Sequence, residues 1–411
     1  MRKILIAAII LLTAVSCRRT EDINNNISRV YGDALEDIGY GIAQADGGYI
    51  ISGQLTQVVR SSDNRIQVSS SKKKLGLIKI DKNGEKIWSY TGGSQLVNSG
   101  SKAIVLEDGS VVSTGYSVDS VTLLKDVLIV KTDSEGNEIT MKVYKTPADI
   151  YNQYGVDILK TSTGFIVLGV TDAEKTGSSD SSGNIAFKKD ILVMKLDNSL
   201  SLVESWAAGY PGNDEPVAIK HDYGGGYIVL ASTDRSDKSP AIQGKNNILL
   251  VKINSLGNFT QQRIIGGMAE ENAAGIEVLD DGYLVVATKV TDATKQDGYA
   301  WKLSRNIFAA PVYEHSITLD DSRSFRINAV SRYKTNYFVM AGQTGTGNAS
   351  RMLIFITDDE GNHLDGKQVI WGSAGSQAVN AVLSDEDGNI YAVGKDSYEN
   401  NSMISLLKFR F

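Results

Sequence analysis

The chain has one cysteine and three histidines in 411 residues. A lone cysteine forms no disulfide within the chain, so stability has to come from packing. Positive charge is not in excess either. Lys and Arg number 42 against 48 Asp and Glu, a net charge of −6, which argues against a general nucleic-acid binder. No apolar run is long enough to span a bilayer. The longest, residues 4 to 15, is interrupted only by Thr13, and a spanning helix needs ~20 residues. Helical periodicity is missing throughout the rest of the chain.

What is present at the amino terminus has an address written in it. Arg2 and Lys3 precede the apolar run, which gives the length and basic flank of a secretory signal. The run ends in Ala14-Val15-Ser16-Cys17. That stretch resembles the lipobox of bacterial lipoproteins, with Ala14 where leucine is commonest. The resemblance implies that residues 1 to 16 are a removed signal peptide and that Cys17 is acylated on sulfur and on its new amino group. Such a protein is anchored to a membrane without spanning it. Arg18 stands where an aspartate would, in some bacteria, hold the protein at the inner membrane. The resemblance therefore implies the outer membrane of a Gram-negative cell, and Glu21 and Asp22 resemble an acidic surface-export signal. Residues 17 to 26 read as a polar tether with no reason to fold.

The rest of the chain repeats one short pattern. "DGGYIISG" begins at Asp46, "EDGSVVSTG" at Glu107, "STGFIVLG" at Ser162 and "GGGYIVLAS" at Gly224. "DDGYLVVAT" follows at Asp280, "KTNYFVMAG" at Lys334 and "DEDGNIYAVG" at Asp385, with the aligned residues Tyr49, Ser110, Phe165, Tyr227, Tyr283, Tyr337 and Asn389 at intervals of 52 to 62. A period of this size signals a repeat architecture. In each copy an upstream strand leads through a Gly-containing turn into the quoted strand. A third strand follows a variable loop, as in "LGLIKID" from Leu75 and "DILVMKLD" from Asp190. A second tight turn, such as "DKNG" at Asp81 or "DSEG" at Asp133, then opens a fourth strand. Four short antiparallel strands per repeat and seven repeats predict an all-β, seven-bladed β-propeller over residues 27 to 411.

Closure is predicted as well. The seventh copy stops at Phe411 after its third strand, and residues 27 to 33, "ISRVYGD", fit the fourth-strand template. The amino-terminal strand is expected to complete the last blade, which removes two apolar edges. The pattern resembles the extracellular propeller repeats of secreted and lipid-anchored bacterial proteins, which specifies fold better than function. "DKNGEKIW" also resembles a quinoprotein repeat, but its Trp88 does not recur in most copies, so no quinone or other cofactor is expected.

The strand grammar sorts the loops. Turns between first and second and between third and fourth strands share one face and are short. Loops between second and third strands, with the connections between blades, share the other face and vary in length. The longest are roughly residues 55 to 74 and 170 to 189, and variable loops on a rigid scaffold are the usual place for function. Three groups on that face are candidate ligand contacts. Acidic residues at the blade starts (Glu36, Asp37, Asp214, Glu215, Glu270, Glu271, Asp320 and Asp321) could ring a channel mouth. Tyr151, Tyr154, Tyr210 and Phe187 could stack on sugars. Lys72, Lys73 and Lys74 form a basic run. Each group has a structural alternative: a hydrogen-bonded rim, packing between blades, or a solvated loop. His221, His315 and His363 fall in different loop sets, which speaks against a His-based metal site or triad.

These readings predict a monomeric, non-catalytic binding scaffold for a glycan or an envelope protein. The alternative is a polysaccharide hydrolase or lyase working through carboxylates at the channel mouth.

Overall fold

The computed structural model describes residues 26–411 apart from 34, 64–66, 68–70, 95, 146–150, 173–187, 211, 236–244, 293–294, 320–322, 346–348 and 399–400. The expected signal peptide, Cys17, Phe187, Asp320 and Asp321 lie outside the described residues. Among those described, 28 strands form seven four-stranded antiparallel sheets, the predicted propeller. No helix among them is long and apolar enough to cross a membrane.

Blade one sets the pattern. Its strands are β2 (Ile38–Ala45), β3 (Gly48–Gln57), β4 (Lys72–Asp81) and β5 (Lys86–Gly92), paired in that order from the central channel outward. Closure is as expected. Strand β1 (Ile27–Tyr31) pairs antiparallel with β28 (Asn401–Phe409), the third strand of blade seven. Tyr31 then donates its hydroxyl to the Gly84 carbonyl at 2.7 Å, tying blade seven to blade one.

Middle strands are apolar on both faces because blades stack on both sides. Every residue of Tyr227–Thr233, the second strand of blade four, is buried, whereas the outermost strand of blade three, Leu202–Ala208, is half exposed. Between blades four and five, Leu230, Ile248 and Leu250 meet Tyr283, Val285 and Trp301 in one cluster. Each such side chain contributes roughly 1.5–3 kcal/mol on burial.

The recurrent Asp-x-x-Gly turn has a direct cause. Asp81 accepts the amides of Asn83 and Glu85 on Oδ1, both at 2.8 Å, and Gly84 closes the turn at φ 77°. Trp88 is half buried, and its indole donates to the Ser134 carbonyl of the next blade at 2.9 Å. It serves as an inter-blade contact. Tyr31 and Tyr144 make the same kind of bond to Gly84 and Leu200, so the contact recurs in blades that lack the tryptophan.

Two loop readings change. Strands β3 and β4 extend into the expected 55–74 loop, so Lys72, Lys73 and Lys74 belong to a strand. Lys73 pairs with Glu36, and the Lys74 ammonium meets the carbonyls of Gly93 and Ser94.

Candidate functional site

Among the described residues, the predicted acidic group does not line the channel. Asp37, Asp214 and Glu271 are fully buried and each closes the turn that precedes its own blade. In every case the carboxylate accepts the backbone amide four residues earlier. Asp33 N donates to Asp37 at 2.8 Å, Tyr210 N to Asp214 at 2.6 Å and Gly267 N to Glu271 at 3.1 Å. Asn98 takes the Ser94 amide at 2.9 Å in the same way. A glycine five residues upstream makes room. A Cβ on Gly32 or Gly209 would lie 2.0 or 2.1 Å from the carboxylate oxygen.

Burial pushes the Asp214 carboxyl up to about 6, and its hydrogen bonds offset this only in part. Burial raises Asp37 as well. The other described members of the group turn to neighbours. Glu36 pairs with Lys73 and Glu215 with Lys189, while Glu270 accepts from the Asn272 amide at 3.0 Å. Among the described residues no group of three or more His, Cys, Asp or Glu could hold a metal ion.

The site that does form is the central channel, about 660 Å³, lined by the innermost strands of all seven blades. Its wall is chemically divided. Each innermost strand carries a β-bulge. At or just past it, blades two and three present Lys102 and Asp157, bonded at 3.2 Å. Two residues further along, blades four and five present Lys220 and Glu277, bonded at 2.8 Å. Asp157 also accepts the Ile219 amide of blade four at 3.2 Å. Burial pulls the Lys220 ammonium down, but Glu277 and then Asp157 more than compensate and leave it raised. Blades six, seven and one offer small or neutral side chains instead: Gly41, Ala329, Ser331, Ala381 and Leu383. Here Asn328 and Asn380, at the bulges, donate to the carbonyls of Val379 and Gly39 in the following blade, at 2.8 and 2.9 Å.

At one end, on the face of the second-to-third strand loops, Tyr40, Tyr116, Lys125 and Tyr154 line the channel between blades one and three. Of the predicted aromatics among the described residues, Tyr154 alone lines this channel. Its ring lies 5.2 Å from Lys125 Nζ, which is 4.4 Å from the Tyr116 ring. Tyr210 is covered by Arg235 at 4.6 Å and packs against the core between blades three and four, so it offers no open sugar platform. Tyr151 sits part-buried in the connection ahead of the innermost strand of blade three.

Sequence reasoning missed Tyr40, Tyr116, Lys125 and the four paired channel charges. The signal was a charged residue inside an otherwise apolar first strand, as in "SKAIV" and "GIEV". Its meaning depends on which strands are innermost and on their register.

No protein-family model and no curated protein sequence matches the chain. Solved structures do. A puromycin hydrolase is similar at a TM-score of 0.52 and 11% identity, over 91% of this chain and 52% of that one. The acylaminoacyl peptidase of Pyrococcus horikoshii aligns at 0.48 and 11% identity, over 92% and 52%. The GH93 α-L-arabinofuranosidase of Fusarium graminearum, solved with arabinobiose, aligns at 0.46 and 14% identity, over 75% and 91%. The chain spans about half the length of the first two hydrolases. At these identities the shared property is the propeller fold.

Proposed function

We propose that the chain is a non-catalytic binding module, held at the outer membrane through a lipid on Cys17, that takes a glycan at the channel mouth between blades one and three. One observation carries this reading. The described carboxylates at the blade starts do not line the channel and are already committed: Asp37, Asp214 and Glu271 to backbone amides, Glu215 to Lys189. What faces the channel mouth is a set of tyrosines and a lysine. Flat rings beside hydrogen-bonding groups suit sugar faces and hydroxyls. The channel volume of about 660 Å³ lies within the ~300–1,000 Å³ usual for small-ligand sites.

The test is binding of the purified chain to a panel of oligosaccharides, with Tyr154→Ala alongside. Saturable binding that weakens about tenfold in the variant supports the reading. Absence of binding to every glycan, with reproducible capture of one envelope protein, would move the assignment to a protein partner. For the anchor, Cys17→Ser should release the protein into soluble fractions, and persistent membrane association would refute the lipid.

A hydrolytic or lyase reading is favoured by one fact: Asp157 and Glu277 project into the same channel. Each is bonded to a lysine, and Asp157 also holds a backbone amide, which suits a structural wall better than a pair free to move protons. Release of shortened or unsaturated sugars, abolished by Asp157→Asn or Glu277→Gln, would overturn the non-catalytic assignment.

A further inference from the structure

We propose that the channel mouth selects an acidic sugar and that Lys125 receives its carboxylate. The inference rests on the glycan-binding reading above and narrows its ligand class. It comes from two lysines that the repeat places equivalently. Lys125 and Lys189 each precede a buried aspartate at the head of a third strand, Asp126 and Asp190. Each backbone amide donates to an asparagine of the next blade, Asn152 at 3.0 Å and Asn213 at 3.3 Å.

Their ammonium groups meet different surroundings. Lys189 reaches the Glu215 carboxylate, one residue before the bulge in the innermost strand of blade four. The residue at that position in blade three is Tyr154. Lys125 therefore meets a ring where Lys189 meets a charge. Among the described residues no carboxylate lies within ion-pair distance of Lys125 Nζ, although Lys102 and Lys220 in the same channel each have one. Burial, with Lys189 nearby, pulls the Lys125 ammonium below its ordinary range, as an uncompensated cation should be.

Ring faces stabilise a cation but accept none of its three N–H donors in the way an anion does. A ligand carboxylate supplies that acceptor and the missing charge. Tyr40, Tyr116 and Tyr154 supply flat surfaces beside it for the sugar ring. A uronic acid residue meets both demands at once.

The probes are trigalacturonic acid and its trimethyl ester, which have equal length but differ in charge, titrated calorimetrically into the purified chain. The acid should bind about tenfold more tightly than the ester, as one desolvated charge-assisted contact provides. Lys125→Gln should bring the acid down to the affinity of the ester, while Lys125→Arg keeps the preference; unchanged melting temperatures confirm that both variants are folded. Equal affinity for acid and ester in the unsubstituted chain overturns the acidic specificity and leaves glycan binding in place. A preference that survives in Lys125→Gln overturns the role of Lys125. Failure of both probes overturns the inference, and failure of the whole oligosaccharide panel removes the reading beneath it as well.

Discussion

The two arcs of the channel wall solve one problem with different chemistry. Both must join innermost strands of neighbouring blades without burying unpaired polar groups. From blade six through seven to blade one, the Asn328 and Asn380 amides bridge to the next blade, and the wall between them is small or neutral. From blade two to blade five, charged side chains do the joining: Lys102 to Asp157, Asp157 to the Ile219 amide, and Lys220 to Glu277. Neutral amides close a seam and leave little for a ligand to recognise. The ion-paired arc keeps hydrogen-bonding capacity turned towards the channel, and the tyrosine-lined mouth opens beside it.

The largest expected effect breaks that contrast through stability. Asp157→Ala leaves Lys102 and the Ile219 amide without their partner, and should cost about 2–4 kcal/mol in chemical denaturation. Asn380→Ala, in the amide-bridged arc, should cost about 1 kcal/mol. Equal losses would show that the arcs are energetically alike.

The next effect concerns pH. The folded Asp214 carboxyl sits at about 6, above the ordinary aspartate value of about 3.9. Between these values the folded chain holds a proton that the unfolded chain has released. Asp214 therefore favours folding most at low pH, and this contribution disappears as pH rises through about 6. Relative to Asp214→Asn, the unsubstituted chain should gain stability from pH 7 to pH 4, by no more than about 3 kcal/mol. Parallel melting curves for the two proteins over that range would contradict the burial of this carboxyl.

Much of this molecule can be read from its residues, and the limits have physical causes. The Gly turns and apolar second strands announce seven blades because each copy is stabilised locally. The closing strand follows from the missing fourth strand of the last copy. The acidic residues were visible too, but their role lay in a spacing. Gly32 to Asp37, Gly209 to Asp214 and Gly266 to Glu271 each span five positions, the distance at which a side chain folds back over its own turn. A glycine held at that distance points to a turn-closing group more than to a ligand. The channel pairs are different in kind. Lys102 and Asp157 are 55 residues apart, and only the register of two innermost strands in a closed ring brings them together.

Two smaller effects sharpen the comparison at the mouth. Tyr154→Ala should weaken glycan binding by about tenfold, the scale of one lost stacking contact, whereas Asn328→Ala in the amide-bridged arc should leave affinity unchanged. Glu215→Ala should shift stability by less than about 1 kcal/mol, because its bridge to Lys189 is exposed. It should also strengthen binding of the acidic trisaccharide, since Lys189 would then resemble Lys125.

The most direct test of the central claim is calorimetric titration of the chain and of Tyr154→Ala with the oligosaccharides that bind. Saturable one-to-one binding that falls about tenfold in the variant, with intact ligand recovered afterwards, is the predicted result. Undiminished binding in Tyr154→Ala, or recovery of cleaved ligand, would contradict a non-catalytic glycan site at this mouth.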